Sequence, residues 1–369
     1  MKKTTTSKSL RLIAFFLVSV ILICAFGFSA DGWQIKENTD KKEDYNSENN
    51  IQNQSTPTQS PQDEDSIVDA EPLPKFYNSL TGLETTEELS KTRHTAFVIN
   101  SESPLYGISA ADVVIEFPIE DGTTRLLAFI NSPKDLVKIG CLEKTRGYIS
   151  NLAKAFGANI FAIGYDDSLD YPKCEIDERF ANEENTKSYI YTEFGRFNYT
   201  NGTLVNEAQT SLTIEKYRSE SQLPFSFRTD GEMQKGESVF NRIEIPYSSD
   251  NKTTLIYSRE RNAYIIEKNG VELRDQTNSA SCEYKNCFVL FADSTTYEYK
   301  DSTQMVLNTI GEGCGYYFTY GTALEIIWHL SEDGVLTLLD KDSNELNVNT
   351  GKSFIFFFKS SIIDEIMLS

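Results

Sequence analysis

The chain has few of the side chains on which metal sites and nucleic-acid binding depend. Its 369 residues include two histidines, His94 and His329, which fall in different predicted domains. No carboxylate cluster accompanies either histidine at metal-ligand spacing, so no metal site and no cofactor are predicted. Basic residues are also scarce, because 35 lysines and arginines face 55 aspartates and glutamates, for a net charge of -20. Without basic patches, the chain is not expected to bind nucleic acid.

Long apolar runs are confined to the N-terminus. Residues 1–11 are basic, residues 12–28 (LIAFFLVSVILICAFGF) are almost wholly apolar, and polar sequence begins at Ser29. This is the layout of an export signal. A membrane span needs roughly 17 to 25 apolar residues, so the run is also long enough for a marginal anchor. Residues 1–30 are therefore predicted to be a signal peptide or signal anchor that contacts the membrane, with the remainder outside the cytoplasm.

Three fates of this segment stay open. Cys24 lies where the acylated cysteine of a lipoprotein would lie, although Ile23 is larger than the residue that usually precedes it. Cleavage after Gly27, Ser29 or Ala30 is the second fate. Retention as an uncleaved anchor is the third.

Composition divides the rest of the chain into regions. Residues 31–74 are rich in Asn, Gln, Ser, Pro and acids, which predicts a disordered stalk. Residues 75–224 mix strand and helix patterns, residues 225–360 show short strands separated by turns, and residues 361–369 form a tail. The predicted fold class is α+β: an N-terminal mixed α/β sheet domain followed by a mainly antiparallel all-β domain.

Individual elements follow from hydrophobic periodicity. An amphipathic helix is predicted over residues 146–157, with Gly157 as its C-terminal stop. The predicted strands of the first domain are Thr95–Asn100, Val113–Ile119, Arg125–Asn131, Val137–Leu142 and Asn159–Tyr165. Those of the second are Asn241–Pro246, Thr253–Ser258, Asn262–Glu267, Phe288–Ala292, Gln304–Ile310, Gly315–Phe318, Ala323–Trp328, Leu336–Asp340 and Ser353–Phe358.

The segment from Asp112 to Ile130 (DVVIEFPIEDGTTRLLAFI) predicts a β-hairpin. Asp121-Gly122 is a two-residue turn signal between two runs rich in β-branched and aromatic residues. That turn would place Glu116 opposite Leu127, and alternation along each strand then assigns every side chain to a face.

This register predicts a polar site. Glu116, Glu120 and Arg125 would share one face, with Arg125 in reach of both carboxylates. Glu143 and Arg146 complete the candidate set. Three interpretations stay open: structural pairing of buried charges, a pocket for a polar ligand, and catalysis by two carboxylates. Against catalysis, Arg125 would keep nearby carboxylates ionised, whereas a general acid needs a raised pKa.

Five cysteines follow the N-terminal segment, an odd number. The spacing of Cys282 and Cys287 is not that of a metal site. The two are candidates for a disulfide in an exported protein, and the alternative is that Cys287 is a buried thiol at the start of an apolar strand.

The order of several motifs resembles the YerB-like family of bacterial surface lipoproteins. The matching segments are Asn78-Ser-Leu-Thr-Gly-Leu83, Arg93 with Ala96–Asn100, Gly107-Ile-Ser-Ala-Ala-Asp112, Glu120–Leu126, Lys138-Ile-Gly140, Arg146, Asn262-Ala-Tyr264, Asn269-Gly270, Asp275, Gly311–Phe318, Gly321, Glu325–Trp328 and Asn349–Lys352. The resemblance spans about residues 77–358. It implies an exported, membrane-attached protein in two parts, without an assigned activity or cofactor.

The chain departs from that family at three places. Residues 163–166 (Ile-Gly-Tyr-Asp) and 207–209 (Glu-Ala-Gln) stand where relatives carry a histidine, and Glu143 stands where they carry an arginine. Any histidine chemistry of the relatives would be lost here.

Three hypotheses of function follow. The first is an extracytoplasmic, membrane-tethered protein that binds a cell-envelope protein or polymer through a cleft between the domains, without catalysis. The alternative is a hydrolase of envelope polymer with Glu116 and Glu120 as acid and base. The third is a structural spacer.

Overall fold

β-strands dominate the part of the chain that the structure describes. The computed structural model describes residues 74–133, 136–163, 189–192, 195–200, 203–208, 224–228, 232–299 and 302–369. The predicted N-terminal membrane segment with Cys24 and nearly all of the predicted stalk lie outside the described residues.

The described residues up to 208 contain strands β1 to β10 and two α-helices. The strands are β1 (Phe76–Tyr77), β2 (Glu84–Thr85), β3 (Thr95–Asn100), β4 (Val113–Pro118), β5 (Thr124–Ile130), β6 (Lys138–Gly140), β7 (Asn159–Phe161), β8 (Tyr189–Thr192), β9 (Gly195–Thr200) and β10 (Thr203–Ala208). The helices are α1 (Glu87–Lys91) and α2 (Gly147–Ala155), and short 3-10 turns cover Ile108–Ala110 and Glu120–Gly122.

The described residues from 224 onward contain strands β11 to β26. They are β11 (Ser226–Phe227), β12 (Ser238–Val239), β13 (Arg242–Pro246), β14 (Lys252–Ser258), β15 (Ala263–Lys268), β16 (Val271–Glu272), β17 (Glu283–Tyr284), β18 (Asn286–Ala292), β19 (Ser294–Tyr299), β20 (Ser302–Leu307), β21 (Gly311–Thr319), β22 (Thr322–Leu330), β23 (Leu336–Asp340), β24 (Asn347–Val348), β25 (Ser353–Lys359) and β26 (Met367–Leu368). A 3-10 segment, Ser360–Glu365, lies between the last two strands.

A ten-stranded sheet contains strands from both halves of the chain. Its order is β12-β22-β21-β18-β25-β4-β5-β3-β7, and β23 also pairs with β22. Strand β25 lies between β18 and β4 and is parallel to both. Its sequence, SFIFFFK, is apolar on both faces and buried at all positions except the last, as a central strand requires. The two predicted domains therefore share one sheet.

Each face of this sheet is covered. Val113, Ile115 and Phe117 of β4 pack in one hydrophobic cluster with Ile149 and Leu152 of α2. The opposite face packs against a second sheet of order β16-β15-β14-β13-β26, with β17 beside β15. Residues of this second cluster include Val114, Leu126, Ala128, Ile243, Leu255 and Ile266. Side chains that alternate along β4 and β5 consequently enter two different environments.

Much of the strand pattern is confirmed. Strands Thr95–Asn100 and Leu336–Asp340 have the predicted bounds, and the predicted helix is present as Gly147–Ala155 with its apolar face buried. The fold class is confirmed in part, because the described residues are mostly β with few helices. No helix among the described residues is long and apolar enough to span a membrane.

Candidate functional site

The β4–β5 hairpin has a longer turn than the sequence predicts. The 3-10 turn occupies Glu120–Gly122, and Asp121 and Gly122 both have positive φ angles, of 58° and 72°. Because the Ile119 N–H donates to the carbonyl oxygen of Thr123 at 2.9 Å, three residues rather than two form the loop. The register is therefore shifted by one residue.

The shift corrects the predicted site. Glu116 pairs with Leu126 rather than Leu127, and Arg125 pairs with Phe117. Glu116 then points toward the six-stranded sheet, whereas Arg125 lies on the face that α2 covers. The prediction that Glu116, Glu120 and Arg125 share one face is wrong, because an added loop residue moves every side chain of one strand to the other face.

Glu116 is buried within a polar network between the two sheets. Its Oε1 accepts from the Thr124 hydroxyl at 2.7 Å, and its Oε2 accepts from the Thr253 hydroxyl at 3.1 Å. The Lys268 ammonium lies 3.6 Å from Glu116 Oε1 and 2.9 Å from Glu102 Oε1. A buried carboxylate is tolerated when a cation and hydroxyl donors satisfy it, so this network fits a structural role. Lys268 was not among the predicted site residues, because it belongs to a different predicted domain.

Glu120 pairs with Arg146 rather than Arg125. The two guanidinium nitrogens of Arg146 donate to Oε1 and Oε2 of Glu120 at 2.6 and 2.7 Å, a bidentate geometry. The Met305 N–H adds a third bond to Glu120 Oε1 at 2.5 Å. Burial opposes ionisation of Glu120, but the bonds from Arg146 and Met305 outweigh it and hold its pKa below the usual range.

The other two candidate residues make separate contacts. Arg125 is buried and donates to the carbonyl oxygen of Lys144 at 2.9 Å. Glu143 is half-buried and accepts from the Asn100 side chain at 3.1 Å and from the Lys144 N–H at 2.8 Å. Of the five predicted residues, the described contacts thus join Glu120 to Arg146, and place Glu116, Arg125 and Glu143 with other partners.

Of the two alternatives for Cys282 and Cys287, the candidate disulfide is wrong and the buried thiol is confirmed. Cys282 and Cys287 are both buried thiols and form no disulfide with each other. Cys282 and Cys287 both pack within the apolar cluster against the six-stranded sheet. Burial raises the pKa of Cys282 to about 12 and that of Cys287 well above its usual value, so both favour the unreactive thiol form. Cys174 lies outside the described residues.

An open cavity of about 360 Å³ lies where the two halves of the chain meet, away from the predicted site. The first half contributes the segments around Asn78, Ser109 and Asp112, and the second contributes residues 275–278. Asn78, Asp112 and Asp275 belong to the motifs of the family resemblance, but no role was predicted for them. The only indication in the sequence was that these three polar residues lie outside the predicted strands.

Asp275 fixes one side of this cavity. Its Oδ1 accepts from the N–H groups of Gly107 and Thr277, and its Oδ2 accepts from the N–H and hydroxyl of Ser109, all at 2.7 to 3.0 Å. Burial raises its pKa but these donors outweigh burial, and the net pKa lies below the usual range. Asp275 is therefore an ionised anchor between a loop of the first half and a turn of the second.

Asp112 lines the same cavity, but there burial affects its pKa more than its hydrogen bonds do. Its Oδ2 accepts from the Asn131 N–H at 2.9 Å. Burial raises its pKa, and the Asn131 bond, the charge of Lys352 and the Asn78 side chain lower it by less. Asp112 is thus a cavity carboxyl whose ionised form is destabilised by its surroundings.

A buried hydrogen-bond chain supports the wall that contains Asn131. His94 is fully buried, with Nε2 2.7 Å from the Ser79 hydroxyl and Nδ1 3.0 Å from Asn131 Oδ1. The Asn131 Nδ2 donates to the carbonyl oxygen of Leu89 at 3.1 Å, which leaves Oδ1 to accept from His94. His94 Nδ1 then donates to Asn131 Oδ1. This network satisfies His94 within the protein.

Within the described residues, no group of three or more His, Cys, Asp or Glu side chains is placed to hold a metal.

The fold defines a class of protein: a mostly β protein in which two sequence halves build one shared sheet. Residues 80–214 match the family model described as the N-terminal domain of a protein of unknown function (DUF3048), and residues 243–355 match the model of its C-terminal domain. The chain belongs to this family, and the resemblance read from the motifs is confirmed.

One protein and one solved structure are similar to the chain. The chain is 24% identical to YerB of Bacillus subtilis (strain 168), a protein named as a candidate lipoprotein, over 308 residues that cover 80% of this chain and 89% of YerB. The crystal structure of YerB from Bacillus subtilis matches with a TM-score of 0.60 and 19% identity, covering 80% of this chain and all of that one. The second match concerns the fold alone.

Proposed function

We propose that residues 75–369 are held outside the cytoplasm by the N-terminal segment and bind a protein or polymer of the cell envelope without catalysis. The basic and apolar pattern of residues 1–28 supports the location. The name of the Bacillus relative as a lipoprotein agrees with it.

The observation that carries the binding hypothesis is the cavity at the junction of the two halves. Its volume of about 360 Å³ lies within the range of small-ligand sites, roughly 300 to 1,000 Å³. Most of its lining residues are polar or charged and a smaller part is apolar, so the cavity offers both hydrogen-bonding groups and apolar contact to a ligand. The cavity replaces the hairpin face as the candidate binding site.

A hydrolase that uses Glu116 and Glu120 has less support. A general acid needs a raised pKa, yet Arg146 and Met305 hold that of Glu120 below its usual range. Glu116 is satisfied by Thr124, Thr253 and Lys268. Each acid therefore has a structural partner.

Photo-crosslinking in intact bacterial cells tests the proposal. The full-length chain is expressed with p-benzoylphenylalanine in place of Val137, which lines the cavity and is 62% exposed. The matched control carries the same residue in place of Val271, which is 70% exposed and lies on β16 of the other sheet. Externally added protease, in parallel, tests whether the folded part is outside the membrane.

Binding at the cavity predicts a discrete adduct from position 137 that is absent from position 271. Degradation of the folded part by external protease supports the location. Equal adducts from both positions, or none from either, would contradict binding at the cavity, and protection from the protease would contradict the location.

A further inference from the structure

The cavity lining contains both apolar and polar side chains. The apolar ones include Leu89 of α1, Ile130 of β5 and Leu136. The polar ones include Asn78 and Asp112. No aromatic side chain is among its lining residues, so the described part of the cavity offers no ring for stacking against a planar or sugar ligand. A ligand that fills it would contact both aliphatic and polar side chains.

Of the two carboxyl groups in the lining, Asp112 accepts fewer hydrogen bonds from the protein than Asp275 does. Asp275 has four donors within 3.0 Å, whereas Asp112 has the Asn131 N–H at 2.9 Å and the Asn78 side chain. The nearby ammonium of Lys352 is itself bonded to the carbonyl oxygen of Ser109 at 2.6 Å. Asp112 lines the cavity and has fewer hydrogen-bond donors than Asp275.

A cationic ligand would gain most at such a carboxyl. Burial penalises the ionised form of Asp112, and an opposite charge at contact distance would remove that penalty. A neutral hydroxyl would gain a hydrogen bond without compensating the charge. A ligand carboxylate placed against Asp112 would be repelled by Asp112 and the ionised Asp275, and the attraction of Lys138 and Lys352 would oppose that repulsion.

We propose that this cavity binds a primary ammonium group on an aliphatic chain, with the ammonium against Asp112 and the chain against Leu89, Ile130 and Leu136. The inference rests on the proposed function, because it names the chemistry of the ligand at the same site. Free alkylamines and lysine side chains of a partner protein share this chemistry.

Three further charged groups face the site. Lys352 attracts Asp112, Lys138 lines the cavity with its Nζ 3.6 Å from the centre of the Tyr106 ring, and Asp275 is ionised. Alkylammonium groups stay charged up to about pH 10, as lysine does. Asp112 is thus the group that titrates in acid, and a proton competes there with the ammonium. Affinity for the amine should fall as the pH drops through the raised pKa of Asp112.

Ligand-observed NMR on the full-length chain in detergent tests this, with n-butylamine and n-butanol as probes and empty micelles as the blank. The amine and the alcohol have the same length and differ in charge. We expect the amine to bind about tenfold more tightly at pH 7. The Asp112→Asn variant should bring the amine to the affinity of the alcohol, while Asp121→Asn in the exposed hairpin turn should change neither.

The native chain alone gives a second measurement, so a variant that fails to fold does not prevent the test. Amine affinity should decline in acid while that of the alcohol stays constant. Equal binding of amine and alcohol, or a pH-independent preference for the amine, would overturn the inference. Cross-linking from position 137 reports on the cavity separately, so the ligand chemistry can fail while the binding site stands. Binding of an unmodified lysine peptide, but not of its acetylated form, would indicate a lysine side chain of a partner protein. Binding of the alkylamine alone would indicate a free amine.

Discussion

At the residue scale, Glu120 and Arg146 form the strongest charged contact of the predicted set. The Arg146 side chain is 3% exposed and that of Glu120 is 15% exposed. Removing one partner of a buried pair leaves the other charge uncompensated, which costs more than the pair contributes when intact. This pair also connects the hairpin turn to β20, because Glu120 accepts from the Met305 N–H.

Glu120→Gln should therefore destabilise the fold by about 2–3 kcal/mol, since the guanidinium of Arg146 keeps a neutral acceptor but loses its counter-charge. Urea unfolding of native and variant chains at pH 7 measures the difference. The neighbouring Asp121→Asn is the control, because Asn accepts the left-handed conformation at this exposed position. A variant as stable as the native chain would contradict a stabilising pair.

The same comparison has a defined pH dependence. The folded-state pKa of Glu120 is lowered, so its contribution is fully present above its usual pKa of 4.5 and is lost as the pH falls through the folded value. The stability difference between the native chain and Glu120→Gln should shrink in that range. A constant difference down to pH 2 would contradict it.

The sequence placed Arg125 within reach of both Glu116 and Glu120, but the structure gives each acid a different partner. The hairpin register placed Arg125 near Glu120. In the structure Arg146, which directly precedes α2, contacts Glu120 instead. Lys268 was out of reach of the same reasoning, because only the packing of two sheets brings it to Glu116. Local patterns predict burial and charge, while partners come from tertiary contacts.

At the element scale, the β4–β5 turn depends on Gly122. Its φ of 72° is unfavourable for other residues, and an added Cβ would lie 2.5 Å from the Cβ of Ser248. Gly122→Ala should therefore cost the conformational term of about 1–2 kcal/mol and a further steric term. Thermal unfolding of the full chain measures the total.

Gly270 provides the matched control. Its φ is 79°, but an added Cβ would meet nothing within 4 Å. Gly270→Ala should show the conformational cost without the steric one, so the difference between the variants isolates the contact with Ser248. Equal destabilisation by both substitutions would mean that the hairpin turn moves away from Ser248 freely.

Strand positions were predictable because alternation and apolar runs are local. The pattern of Thr95–Asn100 determined β3, and the apolar run within Ser353–Lys359 determined β25. The loop length at Glu120 was not predictable in the same way, since Asp-Gly suits both two-residue and three-residue turns. The one additional loop residue shifted the register, so Glu116 and Arg125 lie on opposite faces of the sheet and the predicted site is not formed.

At the scale of the whole molecule, the pairing of distant strands decides what folds together. Strand β25 inserts between β18 and β4 over a long sequence separation. Short sequence patterns contain no information about such neighbours, so the prediction treated residues 75–224 and 225–360 as successive domains. The cavity depends on the same assembly, because Asp275 of the second half bonds to Gly107 and Ser109 of the first.

A fragment of residues 75–224 should consequently fail to fold, in contrast to residues 75–369. Without β25, the edge of β4 loses its parallel partner, and Val114, Ile115 and Phe117 lose neighbours on a strand that is buried throughout. Amide proton dispersion in NMR spectra and cooperative thermal unfolding compare the two fragments. Adding residues 353–359 in trans as a peptide should not rescue the short fragment, because the other face also needs Ile243, Leu255 and Ile266. A short fragment with dispersed signals and a cooperative transition would show that the first half folds alone and that the shared sheet forms by docking.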